Sequence, residues 1–343
     1  MKKYFLLTVV CIIALGFAVS TFAKDPEFRV LGKKGNVQVQ GKEINTGDAV
    51  NRNDKIVVKE ASYLGLVHNT GRTVEISKPG TYSTATLAKN ITSKGGSTSS
   101  KFASYVIDEI SKPEDILTTK KYKRSATVAG SVERAEGSDV NVGESIFSMS
   151  GTNSNAMGGV NFLADVLFTT DKKFINVFLP RSSYLIDPQV RFSWYRNKEA
   201  KEYTLKITDT QDKEVYFKRL TDTSVSLNLD NIKLQRGANY YWSVKGDNDS
   251  RADLFCINLM SREDCENMQN EINSFTGEEG DSQDAVSKLI VAAYFEDANV
   301  MSGAVDAYRS ALEIAPGVQS YKSLYARYLT RIGLTDEAKR VLK

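Results

Sequence analysis

VRFSWY at Val190–Tyr195 and ANYYWSVKG at Ala238–Gly246 decide how this chain is read. In the first, Val190, Phe192 and Trp194 recur at every second position; in the second, Tyr240, Trp242 and Val244 do. Between them, EYTLKITD repeats the pattern at Tyr203, Leu205 and Ile207, and SVSLNLDN repeats it at Val225, Leu227 and Leu229. The intervening positions are largely polar. A strand turns successive side chains to opposite faces, so this alternation describes strands buried on one side only. Stacking two sheets covers those faces, which predicts an antiparallel β-sandwich over residues 181–258.

The spacing Leu234-x5-Tyr240 at the start of a late strand is that of a tyrosine corner, in which the phenol hydroxyl ties back to the backbone upstream. With Trp194 in an early strand, the segment resembles a fibronectin type III or immunoglobulin-like module. Arg236 stands where such modules often carry proline. The resemblance implies a spacer or adhesive module without chemistry of its own. Past the last strand, KGDNDSRAD places Asp247, Asp249 and Asp253 close together. A calcium loop and a Gly-Asp-Asn-Asp hairpin turn both account for them.

Upstream, residues 24–92 carry six short strand candidates: FRVLG, NVQVQG, KIVVKE, YLGLVHN, RTVEIS and TYSTATL. Turn signals such as Asn45-Thr46-Gly47-Asp48, Asn69-Thr70-Gly71 and Pro79-Gly80 separate them, which predicts a compact all-β barrel or sandwich. Gly35, Val37 and Val39, then Gly47-Asp48 ahead of Asn53-Asp54-Lys55-Ile56, then Ser62, Leu64, Leu66, Gly71, Val74 and Ile76, resemble a FecR-type periplasmic β-domain. That resemblance implies a β-module outside the cytoplasm. Family members that signal to a sigma factor place the module after a cytoplasmic segment and a membrane span. The signalling role is therefore not carried over.

Residues 93–121 read as a linker and helix. Asn90–Lys101 is rich in Ser, Gly and Lys, and Ser100–Ser111 sets Phe102, Tyr105, Val106, Glu109 and Ile110 at helical spacing before Pro113 ends it. A second short helix fits Pro113–Leu117. Residues 122–180 return to a β pattern in SATVAGSVERA, FLADVLF and FINVFLP, and either complete the first domain or stand alone. The loop Ser148–Gly159 lacks the Gly-Lys-Ser/Thr ending of a phosphate cradle.

The C-terminal third changes period. Residues 259–276 predict a helix, and 277–343 repeat at 34 residues: Ala292 with Ala326, Val291 with Tyr325, Phe295 with Leu329, Ala304 with Ala338, Tyr308 with Leu342. Small residues at fixed phases let paired helices cross closely. The segment resembles tetratricopeptide repeats, with Ala311 and Pro316 at two further positions of that pattern. Gly277–Asp281 leads in and Ser282 is placed to cap the first helix. Fewer than two repeats are present, so their stability has to come from a preceding helix, from the sandwich or from another molecule. The resemblance implies a concave, peptide-binding face lined by Leu289, Ala293, Glu296, Asp297, Ser323, Arg327, Thr330 and Arg331. Arg327 and Arg331 lie one turn apart and suit an acidic or C-terminal peptide group. Pairing with Glu296 and Asp297, or exposure to water, explains the same two arginines.

Composition bounds the compartment and the partners. The chain has 343 residues, 41% hydrophobic and 25% charged, which is ordinary globular make-up with room for several domains. Residues 1–23 read as a signal peptide: Lys2 and Lys3, an uncharged apolar run over Tyr4–Val19, then Thr21-Phe22-Ala23 for cleavage. An uncleaved anchor is the alternative reading. Loss of Lys2 and Lys3 takes the net charge from +3 to +1, which leaves no electrostatic footprint for nucleic acid. KKYKR at Lys120–Arg124 is the tight basic cluster, read as solvated linker or as a phosphate contact. Past the signal no stretch is apolar enough to span a membrane.

Export makes Cys256 and Cys265 an even pair, and a disulfide closing FCINLMSREDC would stabilise by about 2–3 kcal/mol. Two thiols, or half of a metal site, are the alternatives. His68, the one histidine, sits in the hairpin HNTGR. No Ser or Cys lies in a nucleophile motif, and no carboxylate pair is marked out. Neither a cofactor nor a metal is expected. The chain thus reads as multidomain, with β-domains ahead of a helical repeat. Its expected job is non-enzymatic: an exported, periplasmic or envelope-associated scaffold that holds a protein or peptide partner. The contrasting readings are an envelope protein that binds glycan or a small ligand, and a hydrolase.

Overall fold

The structure, a computed structural model, describes residues 26–91, 97–112, 175–249, 252–276 and 284–343. The expected signal segment 1–23, the helix at Pro113–Leu117, the cluster Lys120–Arg124, the strands and loop of 122–174, and the leader Gly277–Asp281 with Ser282 lie outside those residues.

Eight strands build the N-terminal unit: β1 (Phe28–Lys34), β2 (Val37–Val39), β3 (Lys42–Glu43), β4 (Ala49–Val50), β5 (Lys55–Val58), β6 (Tyr63–His68), β7 (Thr73–Ile76) and β8 (Gly80–Ser83). They form two four-stranded sheets, ordered β4-β1-β6-β7 and β3-β2-β5-β8, with no closed barrel. Phe28, Val30, Val37, Val50, Ile56, Leu64 and Leu66 fill the space between them. The expected strand TYSTATL splits. Its first half is β8, and helix α1 (Thr84–Asn90) takes the rest. Thr84 is buried, with its hydroxyl bonded to the carbonyls of Asn51 and Asp54, and Leu87, Ala88 and Ile91 close the end of the core. Apolar contact and hydroxyl capture there override β-propensity.

Helix α2 (Ser97–Ser111) follows and starts three residues before the expected position. The middle unit contains β9 (Val177–Leu179), β10 (Ser183–Leu185), β11 (Gln189–Trp194), β12 (Tyr203–Thr208), β13 (Glu214–Leu220), β14 (Ser224–Asn228), β15 (Asn239–Gly246) and β16 (Phe255–Leu259). Its sheets run β10-β16-β15-β12-β13 and β14-β11-β9. The period-two residues meet inside: Phe192, Trp194, Tyr203, Leu205, Ile207, Leu227, Leu229, Trp242 and Val244 share one core. The Tyr240 hydroxyl accepts the Gln235 amide at 2.9 Å, the upstream tie its spacing predicted. One pair departs from an all-antiparallel pattern, because β10 runs parallel to β16. Strand β13, EVYFKRL, carries no clear period-two signal. It is an edge strand with little burial, so its polarity does not alternate cleanly.

Five helices close the chain: α3 (Arg262–Thr276), α4 (Ala285–Asp297), α5 (Met301–Ile314), α6 (Gln319–Arg331) and α7 (Thr335–Val341). The last four form two antiparallel pairs, and the small residues at the repeated phases, Ala292, Ala304, Ala326 and Ala338, are all buried at the crossings. Tyr308 stacks on Tyr325 at 5.4 Å between the pairs. Asp284, not Ser282, caps α4 by accepting the Ser287 amide. Leu31 and Val67 of the first unit and Leu179 of the second belong to the same apolar cluster as these helices. The helices therefore sit between the two β-units and join them.

Candidate functional site

Helix α2 lies against four of the residues expected to line a peptide-binding face, Glu296, Asp297, Arg327 and Arg331. Helix α2 contacts both α4 and α6, and Phe102, Ala103 and Val106 are buried there. Phe102 meets Tyr294 edge-on at 5.4 Å. Leu289 and Ala293 on α4 and Ser323 on α6 are buried in turn.

The polar side of α2 is matched residue by residue. Lys101, Tyr105 and Glu109 are spaced by four, so they form one row along the helix. Lys101 pairs with Asp297 at 2.9 Å, with both side chains largely exposed. The Tyr105 hydroxyl donates to Glu296 at 3.1 Å. Glu109 pairs with Arg331 at 3.1 Å. Arg331 also grips Glu296, which takes a further hydrogen bond from Tyr308. Arg327, 2% exposed, donates to the Lys112 carbonyl at 2.5 Å, and Thr330 bonds back to Ala326 in its own helix. The two arginines expected to grip a peptide group are instead engaged within the chain, by α2 and Glu296. Arg331 has the Glu296 partnership that was its alternative reading, and Asp297 is taken by Lys101. Sequence reasoning placed Tyr105 and Glu109 on one helix but missed what they touch. The available signal was Glu109 itself, a carboxylate inside an apolar stripe, which demands a buried cation.

The electrostatics follow from this closure. Burial pulls Glu109 upward, but the Lys112 hydrogen bond and Arg331 outweigh it and hold the carboxyl below its ordinary value. Burial and then Glu296 push the Tyr105 and Tyr308 phenols up, keeping both as donors. Burial lowers Arg331's affinity for its proton, yet Glu296 and its neighbours raise it well above the ordinary arginine value.

Both β-units are bolted to helix ends. Glu75 of β7 accepts the Val286 amide at 3.1 Å and the Tyr63 hydroxyl at 2.5 Å, and Tyr63 meets Tyr321 at 3.1 Å. On the other side, Ser183 accepts the Met301 amide at 3.0 Å and donates to the Asn299 carbonyl at 3.0 Å. Tyr195 donates to Glu337 at 2.8 Å. The amides at the start of α4 and α5 have no partner within their own helices, and side chains of the sheets supply one.

The expected disulfide is not formed, and Cys256 and Cys265 both remain thiols. The Cys256 amide bonds to Ser182, while the Cys265 thiol donates to the Ile186 carbonyl. Those anchors are four residues apart along an extended segment, about 13 Å, whereas a bridge needs Cα atoms within about 7 Å. Cys265 instead lines an open cleft of about 420 Å³ with Ile186, Pro188, Met268, Ile272 and Phe295. Asp249 accepts the Gly246 amide within its own turn, and Asp247 accepts the Lys201 amide from another loop. Among the described residues no group of three His, Cys, Asp or Glu is placed to hold a metal. The His68 ring bonds to Thr70 within its own hairpin. No described helix is long and apolar enough to cross a membrane. Comparison with protein-family models and with curated proteins finds no match to this chain.

Proposed function

We propose that this chain is an exported, non-enzymatic scaffold of the bacterial cell envelope that holds a protein partner on its helix pairs. The observation that carries the reading is where its half-buried acids go. Glu75, Glu296 and Glu337 each accept a bond from another element of the fold: Glu75 from the Val286 amide, Glu296 from Tyr105, and Glu337 from Tyr195. Bonds of that kind fix one element against another, as a platform requires. The likeness of the segments to FecR-type, fibronectin-like and tetratricopeptide-like modules points the same way, and the apolar leader with Thr21-Phe22-Ala23 supports export.

The test is photo-crosslinking in intact cells. A photoreactive residue replaces Lys322 on the helix pairs, or Lys78 on the N-terminal sheet as control. The reading expects a discrete protein adduct from position 322 and none from 78. Adducts to polysaccharide alone, or hydrolase activity of the purified chain that dies with one carboxylate, would replace it with the glycan-binding or enzymatic reading.

A further inference from the structure

We propose that the inner face of the helix pairs is a docking site for an amphipathic helix, and that α2 is the occupant it carries in cis, exchangeable for a partner helix of the same chemistry. The inference deepens the scaffold reading and rests on it.

Complementarity is the first argument. The face reads a helix on two edges at once. An aromatic, a small and an aliphatic residue at Phe102, Ala103 and Val106 enter the apolar strip. A cation, a phenol and a carboxylate at Lys101, Tyr105 and Glu109 meet Asp297, Glu296 and Arg331 in that order. Any helix with a basic residue, a tyrosine and an acid at four-residue intervals, flanked by that apolar set, presents the same two edges.

The second argument is that α2 owes its place to the groove. Its first turn has no acid and its last turn has no base. Asp108 and Glu109 instead fall in the last turn, where the helix dipole disfavours negative charge. Lys112, one residue past the end, pairs with Glu109 as its one charged support there, and a helix of this length is marginal in water.

The third argument is that the groove does not depend on α2 to stay joined to the rest. Helices α4 and α5 are tied to the sheets through Glu75 and Ser183, on bonds that α2 does not make. Those ties hold α4 and α5 against the sheets when α2 lifts, and α2 stays joined to the same chain. That tether gives α2 a high effective concentration, so a partner must bind more tightly or arrive while α2 is lifted.

The experiment uses the full chain with residues 97–111 replaced by a Gly/Ser linker of equal length, and a fluorescent peptide of residues 97–112 as probe. The linker variant is expected to bind the peptide, the unaltered chain at least tenfold more weakly, and the linker variant carrying Arg331→Glu at least tenfold more weakly as well. Equal binding by unaltered and linker chains, or no binding by a folded linker variant, overturns the proposal. Should the linker variant not fold, hydrogen exchange on the unaltered chain decides. Amides of 102–110 should exchange faster than those of α4 and α6, and faster still with excess peptide. Exchange of α2 only with the whole molecule, unmoved by peptide, overturns the proposal. So does doubling of mass through traded α2 helices, which would make a second copy the occupant. Failure to crosslink an envelope protein while peptide binding holds would count against the scaffold reading alone.

Discussion

Tyr321 shows how much a single contact decides. It is fully buried, and its ring lies where β-carbons on Gly32 and Gly65 would stand, 2.5 Å and 2.3 Å from its nearest atoms. Glycine at these two places is a matter of room, since the first unit and α6 meet there backbone to ring. Gly65→Ala should lower stability by about 1–3 kcal/mol, the usual cost of overpacking. With Tyr321→Leu in the same chain the two losses should add to less than their sum, as read in urea unfolding. Strict additivity would mean that the two residues do not meet. Asp253 offers a pH test at the same scale. Burial pushes its carboxyl up to about 6, with Arg181 pulling the other way. A folded value above the unfolded one means the ionised form opposes folding, so this residue's penalty is absent below about pH 4, grows toward pH 6 and is constant above. Asp253→Asn should flatten that window and raise stability at pH 7. Because the group is half-exposed, the gain should be no more than about 1 kcal/mol. A thermal-melt series from pH 4 to 8 in which variant and parent run parallel would dismiss the assignment.

Between elements, the interface of α2 with α4 and α6 turns on Arg331, which bridges Glu109 and Glu296. Arg331→Met should cost about 3–5 kcal/mol, because it leaves Glu296 without its cation and buried Glu109 with Lys112 alone. The same interface has a predictable acid limb. Glu109 is held below its ordinary value, so its contribution is complete above about pH 4.5 and is lost as pH falls through the folded value. Hydrogen exchange of α2 should therefore quicken on acidification before α4 and α6 open, and Glu109→Gln should abolish that early step. Simultaneous opening of all three helices in the parent would refute it. The helix at Ser100–Ser111 was legible from its spacing. What it packs against was not, because hydrophobic period reports which side of a helix is buried and never against what. Lys101, Tyr105 and Glu109 find partners some 190 to 220 positions away in the chain.

Taken as a whole, the helices act as the joint of the molecule. Their apolar cluster takes in Leu31 and Val67 from one β-unit and Leu179 from the other. Two helix pairs do not form a stable stack alone, and here the two sheets supply the missing neighbours while α2 covers the remaining face. The chain should then unfold in one main transition, with the first unit and the helices losing structure together. Truncation before residue 284 should destabilise the N-terminal unit, although every one of its strands is retained. Separate transitions for the two β-units by calorimetry, the first unaffected by the truncation, would show beads on a string instead.

The amino-acid order by itself determined most of the strands and helices, though not α1 or β13. It determined which faces they bury, and that small residues recur where helices cross. Those properties are local: they follow from periods of two and 3.6 and from turn chemistry within a few residues. Only the tertiary structure decided that Cys256 and Cys265 remain separate thiols, that Glu75 and Ser183 complete the starts of distant helices, and that α2 covers α4 and α6. Each of these depends on groups far apart in sequence being brought within a few ångströms, and that proximity is a property of the folded whole that no local period encodes.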